Sequence, residues 1–193
     1  MKSIILSFFI ILSFSSMLNA NEEEIINEEA TEHKSNKYVV IKALTTLGDN
    51  VKHGVNTELE GDTGYGFGVD LGYRVTHSFS VEFDFSYSRS DVKEKEDGNT
   101  IKKANADYYT YALDLVYLHH FTHKFGMFVK GGWEYEVEDI SKLDVHEHDD
   151  DFVYGVGLEY AFDKTYGLVV EYEDSNIDGP RGAGIFTGLI INF

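Results

Sequence analysis

Two short stretches of the sequence carry the residue types of metal-ion chemistry. His119-His120-x-x-His123 offers three imidazoles on one short segment, and His146-x-His148-Asp149-Asp150-Asp151 sets imidazoles beside carboxylates. Imidazole nitrogen suits zinc and related transition metals, whereas carboxylate oxygen suits calcium and magnesium. A site also needs ligands held in place and an outer shell that orients them. Both stretches lie between the regular segments of the chain, so the spacing assigns no metal and no cofactor. The acidic run is expected to be solvated, or to take up Ca²⁺ or Mg²⁺ loosely. Hydrolytic chemistry fares no better. A hydrolase sets a His against a Ser or an acid on rigid elements. The histidines are His33, His53, His77, His119, His120, His123, His146 and His148, and they fall in a tail, loops, turns or strand ends. No catalytic residue is assigned, and the chain reads as non-enzymatic.

A second set of charges occupies a more informative position, on one face of strongly alternating segments. In Thr63–Val75, Tyr65, Phe67, Val69, Leu71, Tyr73 and Val75 alternate with Gly64, Gly66, Gly68, Asp70, Gly72 and Arg74. Phe79, Val81, Phe83, Phe85 and Tyr87 alternate with Ser80, Glu82, Asp84, Ser86 and Ser88. Successive strand side chains point to opposite faces, so each segment has one apolar, aromatic face and one small or polar face. Similar segments recur at about 38–46, 107–118, 125–137, 152–162, 166–173 and 183–193. That makes eight strands, each near the 9–11 residues of a tilted membrane-crossing β-strand.

The connections alternate in length. Long ones cover about 47–62, 89–106, 138–151 and 174–182, and short turns lie at Thr76-His77-Ser78, around 119–124 and at Asp163-Lys164-Thr165. This order predicts an all-β, eight-stranded antiparallel up-and-down transmembrane β-barrel with its long loops at one rim. So many bulky apolar side chains turned inwards would overfill a narrow barrel, and turned outwards they require lipid. Aromatics gather at both rims, as interfacial girdles do. Tyr73, Phe79, Tyr117, Phe125, Phe162 and Tyr166 flank the short turns, and Trp133, Tyr135 and Tyr154 stand near the long loops.

The opposite faces then line the lumen. They carry an ionic network of Lys42, Asp70, Arg74, Glu82, Asp84, Asp114, Lys130, Glu159 and Glu171, with Glu134, Glu136 and Glu173 on the same face. Strand adjacency suggests pairing Lys42 with Asp70, Arg74 with Glu82, and Lys130 with Asp114 and Glu159. The expected role is a polar plug that fixes the barrel; a narrow porin-like channel is the alternative. Because acids outnumber bases, some lumen carboxylates are expected to stay protonated or to bind cations. Among the loops, Arg89-Ser-Asp-Val-Lys-Glu-Lys-Glu-Asp-Gly98 reads as hydrated and mobile.

Composition agrees with export. Lys2, the apolar run Ile4–Phe14 and Leu18-Asn19-Ala20 form a signal peptide over residues 1–20. Residues 21–36 hold six Glu and no aromatic, and are expected to be a disordered acidic tail in the periplasm. The barrel domain is residues 37–193, with both termini on the periplasmic side. A net charge of −18 argues against nucleic acid as a partner, and the absence of Cys removes disulfides and thiolate sites.

With these features together, the chain resembles the small eight-stranded outer-membrane β-barrels of Gram-negative bacteria, the OmpA-type and opacity-protein-like group. The residues that carry the likeness are the signal peptide, the amphipathic strands and the closing Gly188-x-x-Ile191-x-Phe193. The resemblance implies residence in the cell outer membrane, contact with its lipid and lipopolysaccharide, and an assembly signal at Gly188, Ile191 and Phe193 read by the barrel-assembly machinery. Ile191 departs from the aromatic often found there. It further implies a structural or surface-interaction role, such as a surface antigen. A lipid-modifying outer-membrane enzyme is a second alternative, since such enzymes use similar barrels.

Overall fold

Ten strands follow one another along the chain, and a computed structural model describes them over residues 36–52, 56–140, 143 and 145–193. The signal peptide, the acidic tail except Asn36, and His33 and His53 lie outside the described residues. The strands are β1 (Lys37–Thr46), β2 (Asn50–Lys52), β3 (Thr57–Gly61), β4 (Gly64–Arg74), β5 (Phe79–Glu96), β6 (Asn99–His120), β7 (Phe125–Ile140), β8 (Val145–Ala161), β9 (Tyr166–Ser175) and β10 (Gly184–Asn192). Eight of them close a ring, β1-β4-β5-β6-β7-β8-β9-β10, whose last member returns to β1. Every pairing is antiparallel, and the closing ladder runs from Tyr38 opposite Asn192 to Thr46 opposite Gly184. A closed ring leaves its strands no free edge in lipid, which is what allows strands to cross a membrane.

The long-loop side departs from the sequence reading. Segment 89–106 is not a mobile loop: β5 and β6 continue as one hairpin to a tight turn at Asp97-Gly98, both residues having positive φ (48° and 78°). Such φ values suit the primed two-residue turn that matches strand twist. Residues 138–140 and 145–151 likewise extend β7 and β8, while β2 pairs with β3 and β3 with β5. The alternation of Ser90 and Val92 with Asp91 and Lys93 continues the strand period through a stretch whose polarity suggested a loop. Lys93 reaches Asp62 at 2.7 Å, and Lys95 pairs with Glu60. Glu60 lies on β3 and Asp62 directly after it, so the stretch draws its order from a distant segment.

Alternation fixes which face is which. Ile41, Leu71, Leu113 and Leu115 on the outer wall are each more than half exposed, whereas Lys42, Asp70, Asp114 and Val116 on the inner wall are buried. The glycines of the inner face make room for large neighbours. A Cβ on Gly72 would lie 2.1 Å from the Tyr38 ring, and one on Gly157 would lie 2.3 Å from the Phe128 ring. The Gly-rich face in the sequence is therefore the imprint of bulky side chains folded across from the adjoining strand.

Inside, two apolar layers are stacked along the ring. Tyr38, Val40, Val116, Leu118, Phe128, Val169 and Ile190 pack together at the short-turn end. Leu59, Val92, Ala104, Ala106, Tyr108 and Ile140 pack together at the other end, with Val51 and Leu143 against them. The second layer exists only because β3, β5, β6 and β7 run past the ring. Burial of these side chains supplies the extension with its own hydrophobic stabilisation.

Candidate functional site

Between the two apolar layers lies a charged one, positioned by the inward alternation of β1, β4, β5, β6, β7 and β9. The Lys42 ammonium reaches Asp70 Oδ1 at 2.7 Å, Asp84 Oδ2 at 2.9 Å and Glu171 Oε2 at 3.6 Å. It also stands 4.3 Å over the Phe186 ring, a cation–π contact. The Lys130 ammonium reaches the same Asp84 Oδ2 at 2.9 Å, Asp114 Oδ2 at 3.4 Å and Glu171 Oε1 at 2.5 Å, and it also pairs with Glu173. Both lysine side chains are fully shielded from solvent. A buried charge without a partner is costly, and here each ammonium is wrapped by several carboxylates.

Oxygens of Asp84, Asp114 and Glu173 lie within 4.8 Å of one another, a spacing that could hold a metal ion. Lys130 reaches all three of those residues, so the cation they hold is the chain's own ammonium.

Two flanking arrangements complete the layer. The Arg74 guanidinium lies 4.2 Å over the Tyr38 ring, and the Tyr38 hydroxyl donates to Glu82 Oε1 at 2.5 Å. Arg74 and Glu82 are thus linked through a tyrosine. On the other side Arg181, from the β9–β10 connection, turns into the barrel and meets Glu134 Oε1 and Glu136 Oε2, each at 2.6 Å. Its segment is held against the start of the first connection by Gly48 N–H to Arg181 O at 3.0 Å and Asp49 N–H to Pro180 O at 3.0 Å. Gly182, at φ +66°, supplies the bend that follows.

The structure brings Lys42 together with Asp70, and Lys130 with Asp114. It does not bring Lys130 to Glu159. In the β7–β8 ladder Lys130 faces Gly155 while Glu159 faces Gly126, which puts Glu159 nearer the short-turn end. Lys130 instead reaches across the lumen to Asp84 on β5 and to Glu171 and Glu173 on β9. Arg181 was not legible as a lumen residue. The available signal was a single Arg in Gly179-Pro180-Arg181-Gly182, the one proline-bearing segment of the chain, facing an excess of inward acids.

Packing leaves little open space here. The cavity lined by Tyr38, Arg74, Glu82, Phe128, Glu159 and Glu171 measures about 30 Å³, room for water and little else. Beyond Arg181, a polar recess of about 290 Å³ opens among Asp49, Glu136, Asp174 and Asp178.

The acidic stretch after His146 is a strand, not a loop, and alternation divides it. His146, His148 and Asp150 share one face, and Glu147, Asp149 and Asp151 the other. On the first face His146 Nδ1 lies 3.3 Å from Asp139, the His148 ring lies 5.9 Å from that of Tyr135, and the Trp133 indole N–H donates to Asp150 at 2.7 Å. Its imidazoles and carboxylates therefore do not converge on one point.

Aromatics on the outer wall occupy both ends. Tyr73, Phe79, Phe125, Phe162 and Tyr166 are exposed near the short turns, with half-buried Tyr117 against Phe79 at 5.0 Å, and Trp133, Tyr135 and Tyr154 are exposed towards the long loops. At the seam, Gly188 faces Lys42, Ile191 faces Val39, and Phe193 donates its N–H to Lys37 O at 3.1 Å.

Comparison with known proteins adds three solved structures and one family. OprG from Pseudomonas aeruginosa superposes with a TM-score of 0.68 at 14% identity, covering 83% of this chain and 97% of that one. Ail, the attachment invasion locus protein of Yersinia pestis, in complex with the heparin analogue sucrose octasulfate, gives 0.55 at 15% identity, covering 82% and 99%. Neisserial surface protein A gives 0.53 at 15% identity, covering 82% and 98%. At such identities the likeness is one of fold. No curated protein matches the chain. The family described as outer membrane protein beta-barrel domain matches residues 11–193.

Proposed function

This chain belongs to the outer membrane protein beta-barrel domain family and lies in the outer membrane, and from that premise we propose that it is a closed, non-catalytic barrel that carries a rigid platform on its long-loop side. One observation carries the reading: the lumen is packed with apolar side chains at its short-turn end and ion-paired across its middle, and the cavity bordered by these two layers measures only about 30 Å³. A conducting pore needs a continuous wet path, which the apolar layer at the short-turn end opposes. The lysines of the charged layer neutralise carboxylates contributed by several strands, so the cluster ties the wall together across its width. Outer-wall aromatics at the two rims suit contact with lipid headgroups and lipopolysaccharide.

A structural or surface-interacting role follows for the platform. Its exposed stretch His146-Glu-His-Asp-Asp-Asp151 is acidic, so a polyanion of the kind bound by Ail is a poor partner for that part of the surface. Cationic surfaces, or anionic ones bridged by divalent cations, fit it better. A lipid-modifying reaction has less support. The described histidines stand near the two rims, and the His146–Asp139 pair is 63% and 40% exposed.

Planar-bilayer recording on the refolded chain tests the closed barrel. The expected trace is flat across applied voltages; reproducible unitary steps from the wild-type protein would overturn it. Unchanged lipid A in cells overexpressing the protein is the matching expectation for the absence of catalysis.

A further inference from the structure

The short turns are built to one plan. In the first, Thr76 Oγ1 accepts the N–H groups of Ser78 and Phe79 at 3.2 and 3.0 Å; in the second, Thr122 Oγ1 accepts those of Lys124 and Phe125 at 3.2 and 3.0 Å. Asp163 Oδ1 does the same for Thr165 and Tyr166 at 2.7 and 2.8 Å. Each turn is closed by two backbone bonds onto one carbonyl: Phe79 O, Phe125 O and Tyr166 O respectively. Side-chain caps of this kind hold a tight turn in one conformation. His77 and His123 occupy the same place in their turns. A further bond, Leu118 N–H to Ser78 O at 2.8 Å, fastens the first turn to the strand that leads into the second.

This stitching brings together two histidines that are far apart in sequence. The rings of His77 and His120 lie 5.0 Å apart, centroid to centroid, tilted by 40°. His120 faces Gly126 across the β6–β7 ladder, and a Cβ on Gly126 would approach His120 Nδ1 to 3.4 Å. His77 is exposed and His120 partly so, which leaves the pair reachable from water. The sequence spacing suggested His119 and His123 as companions of His120. Alternation instead turns His119 to the outer wall, where its ring meets Phe121 at 5.1 Å.

We propose that His77 and His120 form a two-imidazole site for a transition-metal dication, Zn²⁺, Cu²⁺ or Ni²⁺, at the short-turn rim. Neutral imidazoles bind such ions at about 2.0–2.1 Å, and rotation of the exposed His77 side chain against the half-buried His120 ring brings one nitrogen from each onto a common ion. Water fills the remaining positions. Two features favour the ion over simple ring packing. Rings this exposed bury little apolar surface against each other, and the chain's net charge of −18 raises the local concentration of cations. Hard cations such as Ca²⁺ and Mg²⁺ prefer oxygen and are rejected by a nitrogen-only pair.

The test is calorimetric titration of ZnCl₂ into the full folded barrel in detergent micelles at neutral pH, with CaCl₂ as the comparison. Wild type is expected to show a saturable zinc event that calcium neither reproduces nor competes away. His77→Ala and His120→Ala should each weaken it by about tenfold or more, while His146→Ala with His148→Ala leaves it unchanged. Acidification through the imidazole range should release the metal. Heat modifiability on a gel checks that each variant has folded, and His120→Gln replaces His120→Ala should the latter fail. Zinc affinity unchanged in the folded His77/His120 double variant, or no saturable zinc event in wild type, would overturn the assignment.

Discussion

Lys42 and Lys130 approach a single oxygen of Asp84 from different strands, each ammonium at 2.9 Å. One carboxylate oxygen therefore joins β1, β5 and β7, and Glu171 on β9 is shared by the same two lysines. The charged layer works as a cross-brace, because loss of any member strands several others.

Lys130→Met tests this directly. It leaves Asp84, Asp114, Glu171 and Glu173 facing one another without their central cation. Breaking a buried ionic group in this way costs about 3–5 kcal/mol. Denaturant unfolding of the refolded barrel should show the drop, and Lys130→Met combined with Glu173→Leu should recover part of it. A Lys130→Met barrel as stable as wild type would mean that the layer is dispensable.

Stability should also depend on pH through Glu138, which lies beyond Val137 on the part of β7 that rises past the membrane. Burial, reinforced by the neighbouring Glu136 charge, pushes its carboxyl up to about 7. The folded protein then holds a proton that the unfolded chain releases near pH 4, so the folded state binds more protons between about pH 4 and 7. Stability accordingly falls as pH rises through that window, the contribution being fully present below it and lost above it. Unfolding midpoints measured across the window should slope downward, and Glu138→Gln should flatten the slope.

The Gly72–Tyr38 contact predicts a steric penalty. Gly72→Ala puts a methyl where the Tyr38 ring lies, and that ring is held by Arg74 above it and Glu82 at its hydroxyl. Overpacking of this kind costs about 1–3 kcal/mol. In a Tyr38→Ala background the same change should cost much less, and a double-mutant cycle on unfolding free energies measures the coupling.

Deleting Phe193 should separate assembly from stability. Its side chain is 65% exposed, and its N–H bonds to Lys37 O at the seam. The folded wall loses little when it goes, whereas the recognition proposed for Gly188, Ile191 and Phe193 would lose its aromatic member. Insertion into vesicles carrying the assembly machinery should slow markedly, with the unfolding midpoint of folded barrel nearly unchanged. Equal insertion rates for the two forms would refute the role.

The ring itself was legible because each crossing strand repeats a two-residue period against lipid, as in Tyr65–Val75 and Phe79–Ser88. Inward residues such as Lys42, Asp70 and Asp84 follow from that period alone. Their partners do not: register across the ladders decides that Lys130 meets Glu173 and not Glu159, and the local sequence contains no register. The extensions were hidden for a related reason. Lys93 and Lys95 read as hydrated because their acidic partners, Glu60 on β3 and Asp62 just after it, lie some thirty residues away in the chain. Arg181 enters the lumen from a connection, where no periodicity points to its direction.

The β5–β6 hairpin carries one last consequence. At about 3.4 Å per residue, the 22 residues of β6 reach roughly 75 Å, or about 55 Å of height at an ordinary barrel tilt. The apolar band of such a barrel takes up about 25 Å of this. The hairpin is therefore a mast that stands well clear of the lipid headgroups, stiffened by an apolar step of its own near the base. Contact at its tip would be felt as leverage on the barrel wall, where a slack tether would absorb it.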